Sequence, residues 1–194
     1  MSIRIAGFAG SLGSPSRTRA LVEGAAARAL ARFGGTAIIH DLRGLQPSLG
    51  LAASVADLDA QARAILAEIL AADALIVGSP VYKGSYGGLF KHLFDLIDPA
   101  ALAGKPVLLT ATGGGDRHAL VIEHQLRPLF GFFEAAVLPT GVYAGGADFQ
   151  DGQPAAPALL DRLDRAVAQF APWLEPSRDP NPRRAPVALA AVAV

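Results

Sequence analysis

The sequence predicts an α/β protein with a doubly wound sheet of five parallel strands and helices on both faces. Short apolar runs alternate with longer segments in which apolar residues recur at helical spacing. The run at residues 74–78 is apolar throughout, as expected of a strand that helices cover on both sides. The chain has 194 residues, which is enough for one such domain.

Five strands and five helices alternate along the chain. Their number fits the flavodoxin-like strand order better than a six-stranded dinucleotide-binding fold. Strands are predicted at residues 3–8, 36–40, 74–78, 106–110 and 136–143. Helices are predicted at residues 18–33, 58–72, 87–97, 117–134 and 158–173.

Composition excludes several classes of protein. Lys plus Arg and Asp plus Glu each number 17, and a net charge of zero argues against a nucleic-acid-binding or polybasic membrane-surface domain. The absence of Cys excludes disulfides, thiolate metal sites and Cys nucleophiles. We expect a cytoplasmic protein, because the N-terminus lacks a signal-peptide pattern and the longest apolar run, residues 185–194, is too short to span a membrane.

The composition changes near residue 176. We expect one domain at residues 1–175 and a tail at residues 176–194 that is first Pro-rich and then apolar. A flexible extension is one interpretation of the tail, and docking on a neighbouring subunit is the alternative.

The loop between the first strand and the first helix, residues 10–18, is rich in glycine and serine. Backbone N–H groups in such a loop can converge on an anion at a helix N-terminus, and the guanidinium of Arg17 adds further donors. The loop therefore has the character of a phosphate cradle, although it lacks both common nucleotide-binding fingerprints. Ser16 could instead be only a helix N-cap, with Arg17 solvated on the first turn.

Two further glycine-rich loops follow the third and fourth strands. In residues 78–88, Pro80 ends the strand, the glycines allow close approach to a flat ligand, and Tyr82 or Tyr86 could stack on an aromatic ring. A glycine-rich turn with packed tyrosines is the alternative. In residues 112–118, three consecutive glycines are entropically costly unless the backbone approaches something closely.

Other kinds of site have less support. Asp116 and His118 of the third loop could be a ligand contact, or only an N-cap and a first-turn residue. The four histidines show no metal-ligand spacing with carboxylates, so no metal site is expected. No Gly-x-Ser-x-Gly elbow occurs, which argues against an α/β-hydrolase.

Several short motifs occur in one order along residues 3–150. Together they resemble the flavodoxin-like NAD(P)H-dependent FMN reductases, and the later ones resemble the branch that serves bacterial sulfonate monooxygenases. The motifs are Gly10-Ser11 with Ser16-Arg17-Thr18, Pro80-Val81-Tyr82-Lys83 leading to Gly88-x-x-Lys91-x-x-x-Asp95, Leu102-x-Gly104-Lys105, Ala111-Thr112-Gly113-Gly114 and Leu126-Arg127-Pro128-Leu129.

The resemblance implies an oxidoreductase that transfers a hydride from NADH or NADPH to FMN, held as a substrate or loosely bound cofactor. It implies that Ser11, Ser16, Arg17 and Thr18 hold the FMN phosphate and that Pro80, Val81, Tyr82, Lys83, Gly84 and Ser85 edge the isoalloxazine ring. Thr112, Gly113, Gly114, Gly115 and Asp116 would flank the other side of the ring, with His118 nearby. Hydride transfer needs no protein acid or base, so we expect no catalytic side chain.

The resemblance also implies partners. Reduced FMN would pass to a flavin-dependent monooxygenase of a two-component system for sulfonate metabolism, and the reductase would be a homotetramer. The predicted helices 87–97 and 117–134 carry apolar residues over more of their surface than one domain core requires, which independently favours an oligomer. The sequence leaves the choice between NADH and NADPH open.

Pro128 lies inside a predicted helix. It has no N–H, so the carbonyl of His124 loses its usual partner, and a one-residue π bulge would relieve the clash. In the sulfonate branch an inserted residue stands here, Tyr in the alkanesulfonate type and His in the methanesulfonate type, at the tetramer interface beside the flavin. There the bulge accompanies the use of FMN as a substrate to be released. A Pro kink with His124 facing solvent is the alternative.

Two other functions suit the same fold. A flavodoxin-type electron carrier would hold its flavin through redox cycling, but such carriers are usually strongly acidic and this chain is neutral. An NAD(P)H-dependent quinone or azo-dye reductase would differ in its acceptor.

Overall fold

The computed structural model describes residues 2–175, and in them the predicted doubly wound α/β fold is confirmed. Five strands of the main sheet are β1 (Arg4–Ala9), β2 (Thr36–Asp41), β3 (Ala74–Pro80), β4 (Pro106–Thr112) and β5 (Ala136–Val137). They are all parallel and have the order β2-β1-β3-β4-β5, which is the flavodoxin-like order. The predicted tail, residues 176–194, lies outside the described residues.

Helices cover both faces of the sheet and bury two apolar cores. The helices are α1 (Arg17–Phe33), α2 (Ala60–Ala71), α3 (Gly88–Asp95), α4 (Arg127–Phe132), α5 (Pro157–Ala168) and α6 (Ala171–Leu174). Helices α1 and α5 cover one face of the sheet, and α2, α3 and α4 cover the other face. None of them is long and apolar enough to cross a membrane.

Gly78 lets α1 lie close to the carboxyl ends of the central strands. A Cβ at this position would stand 2.7 Å from both the Thr110 hydroxyl oxygen and a methyl group of Val22. No larger residue fits without moving α1. The N-terminus of α1 is thereby held at the sheet edge where β1, β3 and β4 end.

The fifth strand is not continuous, and the prediction of one strand over 136–143 is wrong. It consists of β5 (Ala136–Val137) and β6 (Val142–Ala144), both paired with β4. Pro139, which has no N–H, lies in the interruption and cannot donate to a strand ladder. The last predicted helix is divided as well, because Pro172 at the start of α6 cannot continue the hydrogen bonding of α5.

The predicted helix over 117–134 has three parts. A 3₁₀ turn covers Asp116–His118, a π-helical turn covers Ile122–Leu126, and α4 follows. In the π turn the N–H of Arg127 donates to the carbonyl of Ile122, five residues earlier. This is the geometry that Pro128 leads one to expect, since the wider turn relieves the clash of its ring with the preceding carbonyl.

The long loop after β6 contains a hairpin that we did not predict. Its strands are β7 (Phe149–Gln150) and β8 (Gln153–Pro154), joined by Asp151 and Gly152, both with positive φ. An Asp-Gly pair is a strong signal for such a two-residue turn. The other long loop, residues 43–57, contains short 3₁₀ turns.

Asp41 joins three segments at the carboxyl end of β2. Its carboxylate accepts hydrogen bonds from the guanidinium of Arg19 on α1 (2.9 Å) and from Arg43 in the following loop (2.6 Å). Burial by itself would raise the pKa of Asp41, but the hydrogen bonds from Arg43 and Arg19 outweigh it and hold the pKa below its usual value.

Replacing Asp41 with Asn should therefore destabilise the protein, by about 1–3 kcal/mol at neutral pH, because both arginines lose a charged acceptor. A lowered folded-state pKa gives stability above the unfolded pKa, about 4, and that stability is lost as the pH falls through the folded-state value. Urea unfolding should show a smaller difference between wild type and Asp41→Asn at about pH 3 than at about pH 7. An equal difference at both pH values would contradict this role.

Candidate functional site

The three glycine-rich loops meet at the carboxyl edge of the sheet. The N–H of Gly10 donates to the carbonyl of Gly78 (2.7 Å), and the N–H of Val81 donates to the carbonyl of Thr112 (2.8 Å). These backbone bonds tie the first loop to the second and the second to the third. The edge is therefore one continuous surface, at the place where open α/β sheets bind ligands.

A buried hydrogen bond fixes the first loop to the third. The hydroxyl of Thr18, on the first turn of α1, lies 2.6 Å from the hydroxyl of Thr112, at the end of β4. Both side chains are buried. Thr18 therefore has a structural contact in addition to its place at the predicted phosphate loop.

The first loop presents polar groups at the N-terminus of α1. Ser16 is the N-cap, and its hydroxyl oxygen accepts from the N–H of Arg19 (3.2 Å), which leaves its own O–H free to donate to a ligand. The hydroxyl of Ser11 accepts from the N–H of Gly13 (3.2 Å). Arg17 is exposed, makes no ion pair within residues 2–175, and lies over the ring of Phe149 at 5.9 Å from its centroid.

The second loop is a tight turn. Tyr82 and Ser85 exchange two backbone hydrogen bonds, and Lys83 and Gly84 between them have φ of 51° and 87°. Two positive φ values in a row are those of a type I′ turn. Tyr82 is 59% exposed, so its ring is available for stacking on a ligand.

Tyr86 and Ser85 have partners of their own. The ring of Tyr86 packs on Phe90, with ring centroids 5.7 Å apart, so the packed-tyrosine alternative holds for Tyr86. The hydroxyl of Ser85 donates to the side-chain oxygen of Gln125 in the π turn (3.1 Å). This contact connects the second loop to the helix that contains His124.

Only one of the three consecutive glycines in the third loop is required by packing. A Cβ on Gly113 would overlap the hydroxyl oxygen of Tyr143, whereas a Cβ on Gly114 or Gly115 would meet nothing. The backbone at Gly114 and Gly115 is open to a ligand. The hydroxyl of Tyr143 donates to the carbonyl of Gly115 (2.6 Å) and so holds the loop in place.

Asp116 and His118 are peripheral to this surface. Gly115 is the N-cap of the 3₁₀ turn that follows, so the alternative in which Asp116 serves as an N-cap is wrong. His118 accepts a hydrogen bond from the Nε of Arg117 (3.3 Å). Burial raises the pKa of Tyr143, and the carboxylates of Asp116 and Asp148 add to the rise, so this phenol keeps its proton at neutral pH.

The three loops enclose a cleft of about 250 Å³. It brings together ten of the predicted residues, whereas Lys83, Gly84, Ser85, Gly115, Asp116 and His118 lie outside its walls. The predicted residues that line it are Ser11, Ser16, Arg17, Thr18, Pro80, Val81, Tyr82, Thr112, Gly113 and Gly114.

Sequence reasoning missed three residues of the cleft: Pro15, Ala144 and Phe149. Ala144 is the last residue of β6, whose carboxyl end reaches the same sheet edge, and Phe149 begins β7 in the loop that follows. The N–H of Gly113 donates to the carbonyl of Ala144 (3.1 Å). The position of that loop was the available signal, but its composition gave no reason to assign it to the site.

The chemistry of the arrangement is suited to binding and orienting a ligand. Within residues 2–175, no group of three or more His, Asp or Glu side chains is placed to hold a metal ion. The surface offers backbone N–H groups at a helix N-terminus, a guanidinium without an ion pair among the described residues, an open backbone segment and an exposed aromatic ring. Those features suit a phosphorylated, planar ligand.

Comparison with known proteins gives a family match over most of the chain. The model of a family described as NADPH-dependent FMN reductase matches residues 3–150. The chain is 46% identical over 170 residues to the NADH-dependent FMN reductase SfnF of Pseudomonas fluorescens, covering 88% of this chain and 91% of that protein. It is 44% identical over 169 residues to an FMN reductase (NADPH) of Pseudomonas aeruginosa, covering 87% and 91%.

A solved structure shows the same fold. An oxidoreductase from Corynebacterium diphtheriae is similar with a TM-score of 0.78 and 34% sequence identity. The match covers 89% of this chain and 97% of that one.

The two neighbouring glycines of the third loop should respond differently to substitution. Gly113→Ala should lower the free energy of unfolding by about 1–3 kcal/mol, because its Cβ displaces Tyr143. Gly114→Ala, with open space and no positive φ, should change stability by less than about 0.5 kcal/mol. Chemical denaturation measures both, and equal losses in the two variants would contradict this packing.

Proposed function

The chain belongs to the NADPH-dependent FMN reductase family, and we propose that it transfers a hydride from NADH or NADPH to free FMN. In the balanced reaction, NAD(P)H, FMN and one proton give NAD(P)⁺ and FMNH₂. The observation that carries this proposal is the cleft at the sheet edge. There the Arg17 guanidinium, which makes no ion pair within residues 2–175, lies at a helix N-terminus beside an open glycine backbone.

The FMN phosphate fits the first loop. Ser16 caps the N-terminus of α1 and Thr18 lies on its first turn, where the helix dipole and free N–H groups favour an anion. Arg17 has no ion pair within the described residues, so its charge is available to the phosphate. Ser11 forms the other wall of the same cleft.

The isoalloxazine ring fits between the second and third loops. Pro80, Val81 and the exposed ring of Tyr82 form one side. On the other side, the N–H groups of Gly114 and Gly115 have no backbone partner within residues 2–175 and can donate to the flavin as it gains negative charge.

The side chains of this site position the reactants. The nicotinamide supplies the hydride and the flavin accepts it, so the protein has to stack the two rings and stabilise charge. Gly114 and Gly115 leave space for the flat ring, because a Cβ at either position would stand in an open region. No side chain is assigned as a general acid or base.

We propose that FMN is a dissociable substrate and that the active form is a homotetramer. The cleft of about 250 Å³ is smaller than a pocket for a whole cofactor-sized ligand, about 300–1,000 Å³, so part of FMN extends beyond it.

Exposed apolar side chains support the homotetramer: beside the π turn, Phe132 is 71% and Leu120 is 64% exposed. A second copy of the chain would cover these side chains and complete the site.

His124 and Pro128 both line a separate cleft of about 580 Å³ between α3 and the π turn. The side-chain oxygen of Gln125 in this turn accepts a hydrogen bond from the hydroxyl of Ser85 in the second loop. A change in the geometry of the π turn would therefore move the loop that borders the proposed flavin site. We propose a role for the turn in assembly and in flavin release. The reduced FMN would pass in the cytoplasm to a two-component flavin-dependent monooxygenase of sulfonate metabolism.

Removal of the Arg17 charge should discriminate between flavins. In Arg17→Ala the KM for FMN should rise at least about tenfold, because a charge-assisted contact of about 1.5–3 kcal/mol is lost. The KM for riboflavin, which has no phosphate, should not change. Steady-state rates of NADH oxidation measure both, with the exposed Arg165→Ala on α5 as the control. An unchanged KM for FMN would refute the phosphate site.

Deletion of His124 should restore a regular helix, weaken the tetramer and make the protein retain FMN while it loses turnover with free flavin. Light scattering, the flavin absorbance of the purified protein and steady-state rates measure these three effects. A deletion variant that stays tetrameric, colourless and fully active would show that the π turn has none of these roles.

A further inference from the structure

β2 lies at the edge of the main sheet, so the sheet leaves one side of its backbone unpaired. The N–H of Thr36 donates to the carbonyl of Ile3 (2.8 Å), on the side of β1. Because backbone groups alternate in direction along a strand, those of Ala37 and Ile39 are directed away from β1. Within residues 2–175, the carbonyl of Ile39 accepts from Nη2 of Arg19 (3.3 Å), whereas both N–H groups and the carbonyl of Ala37 remain able to pair with a further strand.

A mostly apolar groove of about 540 Å³ follows this open edge, between β2 and α2. Ile38 of β2 is 41% exposed and lines the groove, and Ala67 and Ala71 of α2 line its other wall. The charged residues among its described walls are Arg4 and Glu68. The described walls of this groove and of the flavin cleft have no residue in common, so the groove is a separate feature of the molecule.

The last described residue, Glu175, lies beside the start of the same edge. Its carboxylate is 3.9 Å from Nη2 of Arg32, in the last turn of α1. Helix α1 ends at Phe33, and β2 begins three residues later at Thr36. The chain therefore leaves the described part of the domain near the amino end of β2.

The sequence after Glu175 changes character at residue 187. Residues 176–186 contain four prolines, whereas residues 187–194 contain no proline, glycine or charged side chain, and three of those eight are valine. A helix of only eight residues is marginal in water, and β-branched valine favours a strand. An uncharged apolar strand and an open sheet edge are each prone to aggregate unless covered, and pairing one with the other covers both.

We propose that residues 187–194 add to the open edge of β2 of the same chain as a further strand and place Leu189 in the groove beside Ile38. Main-chain hydrogen bonds to the edge and a groove for one side chain are the two components of strand addition. Leu189 is the largest side chain of the segment.

The connection between Glu175 and the segment is long enough. Residues 176–186 can extend over about 34 Å, at about 3.1 Å per residue. β2, with 6 residues, is about 20 Å long, so the connection reaches either of its ends. A tether of this length holds the segment at a local concentration in the millimolar range, which favours the edge of its own chain over that of a second copy.

The chain contains no Cys, so a pair of introduced cysteines reports one contact. Ile38→Cys is combined with Leu189→Cys or with Ala190→Cys, because neighbouring side chains lie on opposite faces of a strand. Leu51→Cys with Leu189→Cys is the control for encounters by diffusion, since Leu51 lies outside the groove walls and is 93% exposed. Disulfide formation is followed by gel electrophoresis without reductant, which separates a cross-link within one chain from a dimer.

The pair of Ile38→Cys and Leu189→Cys should form a disulfide within one chain at least about tenfold faster than the other two pairs, because docking holds the two thiols together. Equal rates for the three pairs, or a faster reaction of Ala190→Cys, would overturn the proposal. A disulfide-linked dimer as the main product would assign the groove to a second copy of the chain and overturn it as well.

Hydrogen exchange tests the strand pairing in chains without cysteine. In Leu189→Asp the outward amide hydrogens of β2 should exchange at least about tenfold faster than in wild type, because they lose their partners when the segment no longer docks. Ala185→Asp adds the same charge before the segment and should leave this exchange unchanged. Mass spectrometry of peptides that cover residues 36–41 measures it, and equal exchange in wild type and Leu189→Asp would overturn the proposal.

Discussion

The site depends on one buried contact, the 2.6 Å hydrogen bond between the hydroxyls of Thr18 and Thr112. It joins the start of α1 to the end of β4, two segments 94 residues apart in sequence. A bond of this kind contributes only about 1 kcal/mol to stability, but it fixes the phosphate loop relative to the glycine loop. Gly78 makes the contact possible, since a Cβ there would stand 2.7 Å from a methyl group of Val22 and 3.2 Å from the methyl group of Thr18, both on α1.

Much of the fold could be predicted from the sequence because burial on both sheet faces leaves strong periodic patterns. β1 to β4 and α1 to α3 follow those patterns to within two residues at each end. The apolar pattern did not predict the breaks at Pro139 and Pro172, because a proline removes one hydrogen-bond donor without changing the apolar periodicity around it. The π turn could be anticipated because the clash of Pro128 has few local solutions.

The site was partly predictable for a related reason. Glycine and serine at strand ends indicate loops that approach a ligand, and ten of the sixteen predicted site residues share one cleft. Composition could not separate ligand contacts from structural contacts. Lys105, within a motif of the family resemblance, donates to the carbonyls of Leu70 and Ala72 (3.1 and 2.5 Å) at the end of α2. Phe149 was missed because it lies far from Arg17 in the sequence, and only the folded chain brings its ring under the Arg17 guanidinium.

We propose that the three loops form a site for turnover of free flavin. The most direct test is anaerobic oxidation of NADH or NADPH by purified protein with a large excess of FMN. We expect many equivalents of FMN to be reduced per protein chain, with the product free in solution. Reduction that stops at one equivalent, with the flavin still bound to the protein, would contradict it and indicate an electron carrier.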